Sequence, residues 1–444
     1  MKRLILEQSD DEFYTSHSGL ALAGLCINRY SDLSFRIGRA MDDSANVISQ
    51  MDIIRSYLGL LCLGKSDFEA LAAMREDEYF RHAMGIETVP SVERLRQRMD
   101  ETASVMTPLM FKSSVSMLRR ANVPITGLTT GHIPLDIDVF PQDNSGTKKE
   151  GVSRTYKGHD GYAPVGAYLG QEGWCLEVEL RPGKQHSQTD FIPFLRRVLG
   201  QARKLTRSPL LVRLDSAHDA LDTLVTLREA KKVSYIIKWN PRRQDHLSWH
   251  ARAFAKGSSI LEPRPGKRVA LLTVNETRMV KDKELVFTRL VRVTERTIDK
   301  RGQRLLSPEI TLEGWWHNNP TLSAEQIIRL YNDHATSEQF HSEFKTDLDL
   351  ERLPSGKFAT NALVMAMGVF AYNILRMIGQ LGLLGEYSPV RHPAKRRRLR
   401  TVIQELIYMA GRLVRSGHRL LLRFGRHCPG YPAFEFVYNQ LTPT

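Results

Sequence analysis

Hydrophobic and polar residues follow two different periods along this chain, and the change of period divides it into helical and strand-rich regions. Before residue 129 the apolar positions recur about every 3.6 residues, as in the segment VISQMDIIRSYLGLLCLG, which predicts helices. Ser91 directly precedes VERLRQRMDE and has the character of a helix N-cap. We therefore predict a mostly helical N-terminal region over 1–128. It is either a plain helical bundle or a helix-turn-helix that binds DNA.

From residue 129 the period shortens to two, which is typical of strands. HIPLDIDVF alternates so that Leu135, Ile137 and Val139 share one face, while Asp136 and Asp138 share the other. Two more strands, GYAPVGAYLG and WCLEVELRPG, follow. The helix DFIPFLRRVLGQARKL, the strand PLLVRLD, a helix around LDTLVTLREAKK and the strand SYIIKWN come next. A three-stranded meander followed by alternating helix and strand is the order of an RNase H-like core, whose first part we place at 129–240.

The rest of the chain is predicted to interrupt and then complete this core. Three long strand patterns, joined by the turns KDKE and DKRGQR, predict a β-rich insertion over 241–320. The core resumes over 321–386, where TNALVMAMGVFAYNILRMIGQLGLL reads as a long apolar helix. Basic residues at helical spacing in RLVRSGHRLLLRFGR predict a helical, DNA-binding C-terminal region over 387–444. The predicted fold is α/β, a mixed sheet flanked by helices.

Charge and composition narrow the class of partner. The net charge is +14 over 444 residues, which favours a polyanion such as nucleic acid. No apolar run approaches the roughly 18–20 residues of a membrane span, so no membrane partner is predicted. The N-terminus becomes acidic within ten residues and does not resemble a signal peptide. The four cysteines form no CxxC pair, which favours reduced thiols in a cytoplasmic protein.

Three carboxylates are candidates for metal-assisted chemistry. Asp138 and Asp215 end short apolar strands, and Glu338 lies on a helical stretch. Mg²⁺ prefers oxygen ligands, and two such ions can activate the attacking and neutralise the leaving oxygen of a phosphodiester. Asp136 competes with Asp138 for the first position, because both point to the same face. We expect Asp143, Asp219 and Glu343 to lie on the solvated surface.

The segment around Glu338 carries an ordered polar stripe. Ser323 and Gln326 have the spacing of a capping box. Tyr331, His334, Glu338 and Lys345 then fall on one helical face. The alternative is an ordinary salt-bridged surface helix.

This stripe resembles the Y-(2)-R-(3)-E-(6)-K signature of cut-and-paste DDE transposases of bacterial insertion sequences, with His334 in the place of the usual Arg. The segments LDIDVFPQDNSGTKKEGVSRTYKGHDGYAPVGAYLG and LVRLDSAHD resemble the acidic motifs of the insertion-sequence 1380 family, DDE transposase group 1. Phe140 stands where that family often has Thr. The resemblance implies an RNase H-like core with a β-rich insertion, catalytic and metal-binding roles for Asp138, Asp215 and Glu338, and two Mg²⁺ ions per site, with Mn²⁺ as a substitute.

Several residues are candidates for contacts with DNA. We predict phosphate contacts by Tyr331, His334, Lys345, Lys148, Lys149, Arg154, Lys157, Arg242, Arg243, Arg396, Arg397 and Arg398. Trp315 and Trp316 are candidates for stacking on a base of a DNA hairpin, and Trp249 is a third. The alternatives are core positions for the tryptophans and a solvated face for the arginines.

Together these features predict a transposase that binds terminal inverted repeats in duplex DNA, cuts and rejoins strands, and acts as a homodimer on DNA, with a hairpin intermediate implied by the resemblance. Two other classes stay open. One is a non-catalytic DNA-binding protein derived from such an element. The other is a metal-dependent nuclease for hybrids or repair intermediates.

Overall fold

The fold is organised around a mixed sheet with helices on either side, seen in a computed structural model that describes residues 4–43, 46–255 and 260–442. The strands are β1 (Phe13–Thr15), β2 (Ile133–Val139), β3 (Gln142–Asp143), β4 (Ser153–Arg154), β5 (Asp160–Tyr162), β6 (Val165–Leu169), β7 (Trp174–Glu179), β8 (Leu210–Leu214), β9 (Val233–Lys238), β10 (Ile260–Arg264), β11 (Lys267–Val280), β12 (Lys283–Ile298), β13 (Arg304–His317), β14 (Gly411–Ser416) and β15 (Arg419–Phe424).

The helices of the same residues are α1 (Leu20–Tyr30), α2 (Leu33–Ala40), α3 (Gln50–Cys62), α4 (Glu78–Met84), α5 (Val92–Arg120), α6 (Phe191–Leu205), α7 (Leu221–Glu229), α8 (His246–Ala253), α9 (Ala324–Asn332), α10 (Thr336–Ser342), α11 (Phe358–Gly382), α12 (Leu399–Val402) and α13 (Tyr431–Leu441). Short 3-10 segments cover Phe68–Met74, Ser216–His218 and Asp333–Ala335, and π-helical turns cover Glu343–Asp347 and Ile403–Ile407.

The central half of the large sheet has the order β7-β6-β2-β8-β9. β2 runs parallel to β8, and β8 runs parallel to β9, while β6 and β7 are antiparallel to their neighbours. These are the strands that the period-two segments predict, and α6 and α7 fall where helices are predicted between them. Both faces of β2 are covered, because residues on either side of its alternation are buried.

The predicted β-rich insertion extends this sheet. β11, β12 and β13 form an antiparallel meander, and β13 pairs with β9 through Trp315↔Lys238 and His317↔Ile236. The result is one nine-stranded sheet in the described part of the chain, ordered β10-β11-β12-β13-β9-β8-β2-β6-β7. The insertion is therefore joined to the core by backbone hydrogen bonds.

The N-terminal region is helical, as predicted, and its helices pack as a bundle. Ser91 caps α5 by accepting a hydrogen bond from the Arg94 amide at 3.1 Å. α5 is 29 residues long and packs along α11. Residues 85–91 separate α4 from α5, which is a longer connection than the roughly 3–4-residue turn of a helix-turn-helix.

One helix corrects the expectation that no segment is long and apolar enough to cross a membrane. α11 has 25 residues and a mean hydropathy of 1.6 over its most apolar window. That window is 94% buried inside the protein, where α11 packs against α3, α5 and β7. It is a core helix, and its apolar surface is already covered.

The prediction of a helical C-terminal region is wrong over 411–424, where β14 and β15 form a hairpin. Gly417 takes a φ of +58° in the turn, a backbone conformation that glycine adopts readily. β1, from the opposite end of the chain, completes a three-stranded sheet with Leu413 opposite Phe13. This pairing bridges about 400 residues of sequence, so local spacing carried no sign of it. The basic residues Arg415, Arg419 and Arg423 lie exposed on the hairpin.

Glu343 corrects another expectation, because it is buried. Its carboxylate accepts hydrogen bonds from Arg376 and, at 3.1 Å, from the Tyr372 hydroxyl, and all three side chains are inaccessible to solvent. Arg376 also donates to the Arg397 carbonyl at 2.6 Å. The Glu343–Arg376 ion pair therefore connects α11 to the segment that follows α10.

Arg376→Met should destabilise the protein by about 3–5 kcal/mol, because it leaves the buried Glu343 charge without its partner. The matched control is Arg96→Met, which removes an exposed pair with Glu69 and should cost at most about 1 kcal/mol. The free energy of unfolding in urea measures both. Equal losses in the two variants would contradict a structural role for the buried pair.

Candidate active site

A cleft of about 960 Å³ opens where β2 and β8 end, and the helical segment that carries Glu338 forms its opposite wall. Its lining residues come from these strand ends, from the loop after β4 and from the segment α9–α10. They are Asp138, Val139, Phe140, Pro141, Tyr156, Lys157, Asp215, Tyr331, Asn332, His334, Ala335, Ser337, Glu338, His341, Ser342, Lys345, Thr346 and Glu351.

Two aspartates lie side by side at the base of this cleft. The last paired residues of β2 and β8 in the parallel register are Ile137 and Leu214. Asp138 follows Ile137 and Asp215 follows Leu214, so the strand register places the two aspartates side by side. Asp138 accepts a hydrogen bond from the Val139 amide at 2.8 Å. Asp215 accepts one from the Ala217 amide at 3.1 Å and thereby starts a 3-10 turn.

Burial raises the pKa of both carboxylates, and the nearby charge of Asp215 adds to this effect at Asp138. Burial is the main cause that raises the pKa of Asp138 to about 7, and the negative charge of Asp215 is the second. Burial also raises the pKa of Asp215. Two anions held together in a poorly solvated place are unfavourable, and a cation between them would relieve the repulsion.

Asp136 is placed differently from Asp138, although both lie on the same face of β2. It is buried and forms a two-point ion pair with Arg213, at 2.6 and 2.7 Å. Burial alone would raise the pKa of Asp136, but Arg213 and His334 outweigh that effect and lower it to about 2. These partners occupy the oxygens of Asp136, and Asp138 lines the cleft whereas Asp136 lies deeper and does not.

The structure brings the predicted polar stripe into the cleft. Tyr331, His334, Glu338 and Lys345 all line it. Ser323 and Gln326 form the predicted capping box at the start of α9. The stripe is carried by a helical run with irregular turns, since a 3-10 turn follows α9 and a π turn follows α10.

Aromatic side chains pack between α10 and the strands of the sheet. The Phe340 ring lies 5.0 Å from that of Tyr168, and His341 stacks on Phe140 at 4.5 Å. Gly173, with a φ of +72°, allows this approach, because a Cβ there would lie 2.2 Å from the Phe340 ring. Arg396 lies over the outer face of the same ring at 4.5 Å. Glu338 therefore sits on a helix that is held to β2 and β6.

Sequence patterns missed two residues of the cleft. Tyr156 lies above the aspartates, and burial, followed by Asp138 and Asp215, raises its pKa to about 12. Burial lowers the pKa of His341 to about 3. Tyr156 lies in an irregular loop, where periodicity carries no signal. His341 is only three residues from Glu338 on the same helical run, and that helical spacing was the available clue.

Some of the predicted phosphate-binding residues are exposed to solvent, and others form hydrogen bonds or ion pairs within the protein. Lys148, Arg154 and Lys157 are exposed, and of these Lys157 lines the cleft. Arg242 and Arg243 are exposed on a second cavity of about 610 Å³.

Several of the other predicted cations are engaged within the protein. Lys149 donates to the Leu353 carbonyl, and Lys345 bridges the Pro141 carbonyl at 2.9 Å and Glu351 at 2.7 Å. The three arginines of the C-terminal run also have protein partners. Arg396 donates to Gln339, Arg397 to the Leu383 carbonyl and Arg398 to Asp347. This run fastens the C-terminal segment to the core, so it adds less free positive charge than its sequence suggested.

Trp315 and Trp316 are core residues, which corrects their prediction as base-stacking groups. Their exposed fractions are 1% and 3%. Both lie on the part of β13 that pairs with β9, inside the sheet, where helices cover them. The Trp316 indole donates to Asp219 at 2.8 Å, and Arg289 lies 4.6 Å from its ring. Asp219 is accordingly half-buried, contrary to expectation.

The donor set of the cleft suits a hard divalent cation. Asp138, Asp215 and Glu338 offer oxygen ligands alone, which Mg²⁺ and Mn²⁺ accept. Within residues 4–43, 46–255 and 260–442, however, no three acidic, histidine or cysteine side chains are close enough to hold a metal ion. Glu338 would therefore have to approach the aspartate pair to become a third ligand.

The raised pKa of Asp138 predicts a pH-dependent stability without divalent metal. The folded state keeps this proton up to about pH 7, whereas the unfolded chain loses it near its ordinary value of 3.8, so stability falls as pH rises between these values. Asp138→Asn removes that loss. Its Tm at pH 8 should exceed that of the wild type by on the order of 2 °C, and the difference should vanish near pH 4.

Calorimetry in EDTA at the two pH values measures this effect, with exposed Asp160→Asn as the control. A Tm of Asp138→Asn at or below the wild-type value at pH 8 would contradict the raised pKa of Asp138.

Comparison with known proteins identifies the family. Residues 8–444 match the family described as transposase DDE domain group 1. No curated protein matches the sequence. Among solved structures, the chain is similar to a piggyBac transposase in a synaptic complex with hairpin DNA, at 10% identity and a TM-score of 0.39, over 98% of this chain and 85% of that one. Because the family match covers nearly the whole sequence, this chain belongs to the transposase DDE domain group 1 family.

Proposed function

We propose that this transposase binds the terminal inverted repeats of an insertion sequence and performs metal-dependent DNA cleavage and strand transfer in the cleft of Asp138, Asp215 and Glu338. The observation that carries the proposal is the parallel register of β2 and β8, which sets two carboxylates side by side opposite the helix of Glu338. The order β7-β6-β2-β8-β9 supports an RNase H-like core. The stripe of Tyr331, His334, Glu338 and Lys345 lines the cleft and resembles the insertion-sequence signature. It supports the assignment to transposases of insertion sequences.

The residues of the chain have separate tasks in this proposal. Asp138 and Asp215 hold Mg²⁺, or Mn²⁺ in its place, and Glu338 closes on them when DNA enters. Two such ions, when bound, activate the attacking water or 3′-hydroxyl and stabilise the leaving oxygen. Tyr331 and Lys345 line the cleft and orient the phosphate beside the scissile bond.

Exposed cations outside the cleft hold the DNA backbone in this proposal. They are Lys148, Arg154, Lys157, Arg242 and Arg243. A homodimer on two repeat ends, a hairpin intermediate and action in the cytoplasm complete the proposal, and they rest on the resemblance to insertion-sequence transposases. With Trp315 and Trp316 buried, the half-buried Trp249 is the candidate left of the three for stacking on the hairpin.

Glu338→Gln should reduce Mg²⁺-dependent cleavage of a duplex with the element's terminal repeat by at least about 100-fold, because loss of a metal ligand removes several kcal/mol of transition-state stabilisation. Binding to the same duplex should persist. The control is Glu325→Gln, an exposed carboxylate in the first turn of α9.

Cleavage by Glu338→Gln at the wild-type rate would contradict the assignment. Binding without cleavage by the wild type, in Mg²⁺ and in Mn²⁺, would point to a non-catalytic DNA-binding protein. Equal cleavage of random duplex and of repeat-ended duplex would point to a general nuclease.

Lys157→Ala should weaken DNA binding by roughly three- to tenfold, because it removes one phosphate contact. The slope of log K against log salt should fall by about 0.9. The control is Lys231→Ala, an exposed lysine just before β9, at the end of the parallel strands away from the cleft. Fluorescence anisotropy over a salt series measures both, and an unchanged slope in Lys157→Ala would exclude the contact.

A further inference from the structure

A buried ion pair lies directly beneath the two aspartates of the cleft. Asp136 on β2 and Arg213 on β8 are opposite one another in the parallel register, and both side chains are 4% exposed. Side chains two residues apart on a strand point to the same face. Asp136 therefore precedes Asp138 on that face, and Arg213 precedes Asp215 in the same way.

The same ion pair also holds the helical segment that carries Glu338. The Arg213 Nη1 donates to the Leu330 carbonyl, in the last turns of α9, at 2.8 Å. The His334 Nδ1 donates to Asp136 Oδ1 at 3.0 Å. His334 lies on the 3-10 turn between α9 and α10, four residues before Glu338. Two strands and one helical segment thus converge on a single buried carboxylate.

The placement of His334 differs from that of a residue that binds DNA phosphate. Its side chain is 7% exposed, and one ring nitrogen is committed to Asp136. The other nitrogen, Nε2, is buried and has no hydrogen-bond partner among the described residues. A backbone phosphate is bulky and hydrated, and it meets exposed cations such as Lys157 before it meets a buried imidazole.

We propose that His334 is a positioning residue, which through Asp136 holds the helical segment of Glu338 beside the strands of Asp138 and Asp215, so that the Glu338 carboxylate can close on them, and that it makes no contact with DNA. The inference rests on the proposed function, in which Glu338 completes the metal site. It assigns to Asp136 the task of connecting the strands to the helix, and it separates His334 from the phosphate-binding residues.

Two substitutions at His334 separate positioning from DNA contact. In His334→Asn the side-chain amide nitrogen occupies nearly the place of Nδ1, so it keeps the donor to Asp136 and removes the rest of the ring. His334→Leu keeps an apolar side chain and removes the donor. Three measurements follow for each full-length variant: cleavage of repeat-ended duplex against Mg²⁺ concentration, duplex affinity against salt in EDTA, and hydrogen exchange of the amides of Thr336–Ser342.

Positioning predicts that His334→Leu needs roughly 10–100 times more Mg²⁺ for half-maximal cleavage, as is usual when a group that orients a metal ligand is lost. Its α10 amides should exchange faster than in the wild type, while those of α7 keep their rate. Duplex affinity and salt slope should stay within about twofold. His334→Asn should resemble the wild type in all three measurements.

Weaker duplex binding with a salt slope lower by about one, in both variants, would overturn the proposal in favour of a phosphate contact. Wild-type Mg²⁺ dependence in His334→Leu would overturn it as well. If His334→Leu fails to fold, His334→Asn alone decides, because the proposal requires it to cleave and bind normally. A wild type that shows no Mg²⁺-dependent cleavage overturns the proposed function, and with it the catalytic role of the contact. If the wild type cleaves and His334→Leu has the same Mg²⁺ dependence, only the positioning role of His334 is overturned.

Discussion

The parallel pairing of β2 with β8 is the constraint on which the rest of the site depends. It sets Asp138 beside Asp215 at the end of two buried strands, where water is scarce and their charges repel. One step deeper, the same register pairs Asp136 with Arg213, which is a favourable contact between opposite charges. The sheet thus holds a stable ion pair below and an unstable pair of like charges at the cleft. A cation bound between the two like charges would relieve their repulsion.

The remainder of the fold holds the Asp136–Arg213 pair and the Asp138–Asp215 pair in place. α11 and α5 cover the sheet on the side of β7, and the buried Glu343–Arg376 pair links α11 to the segment after α10. The insertion continues the sheet through β13, so its long strands are fixed relative to the carboxylates. Trp315 and Trp316 belong to that junction. Their bulk fills the sheet interior where the insertion meets the core, which explains why they are unavailable to a DNA base.

Local patterns in the sequence identified most of the elements, and they failed where contacts join distant segments. The strands around Asp138 and Asp215, the N-cap at Ser91 and the capping box at Ser323 were all predicted, because each depends on neighbouring residues. The hairpin of β14 and β15 was missed, because the spacing of its arginines also fits a helix, and the strand that completes its sheet comes from the other end of the chain. The choice between Asp136 and Asp138 was also out of reach, since it depends on Arg213, a cross-strand partner that alternation does not reveal.

The most direct test of the account is to locate the metal. Crystals of the protein with a repeat-ended duplex, soaked in Mn²⁺, would show the ions by their anomalous scattering. The account predicts density bound to Asp138 and Asp215, with Glu338 moved in as a further ligand and with Asp136 still paired to Arg213. Mn²⁺ bound elsewhere, or at Asp136 in place of Asp138, would contradict it.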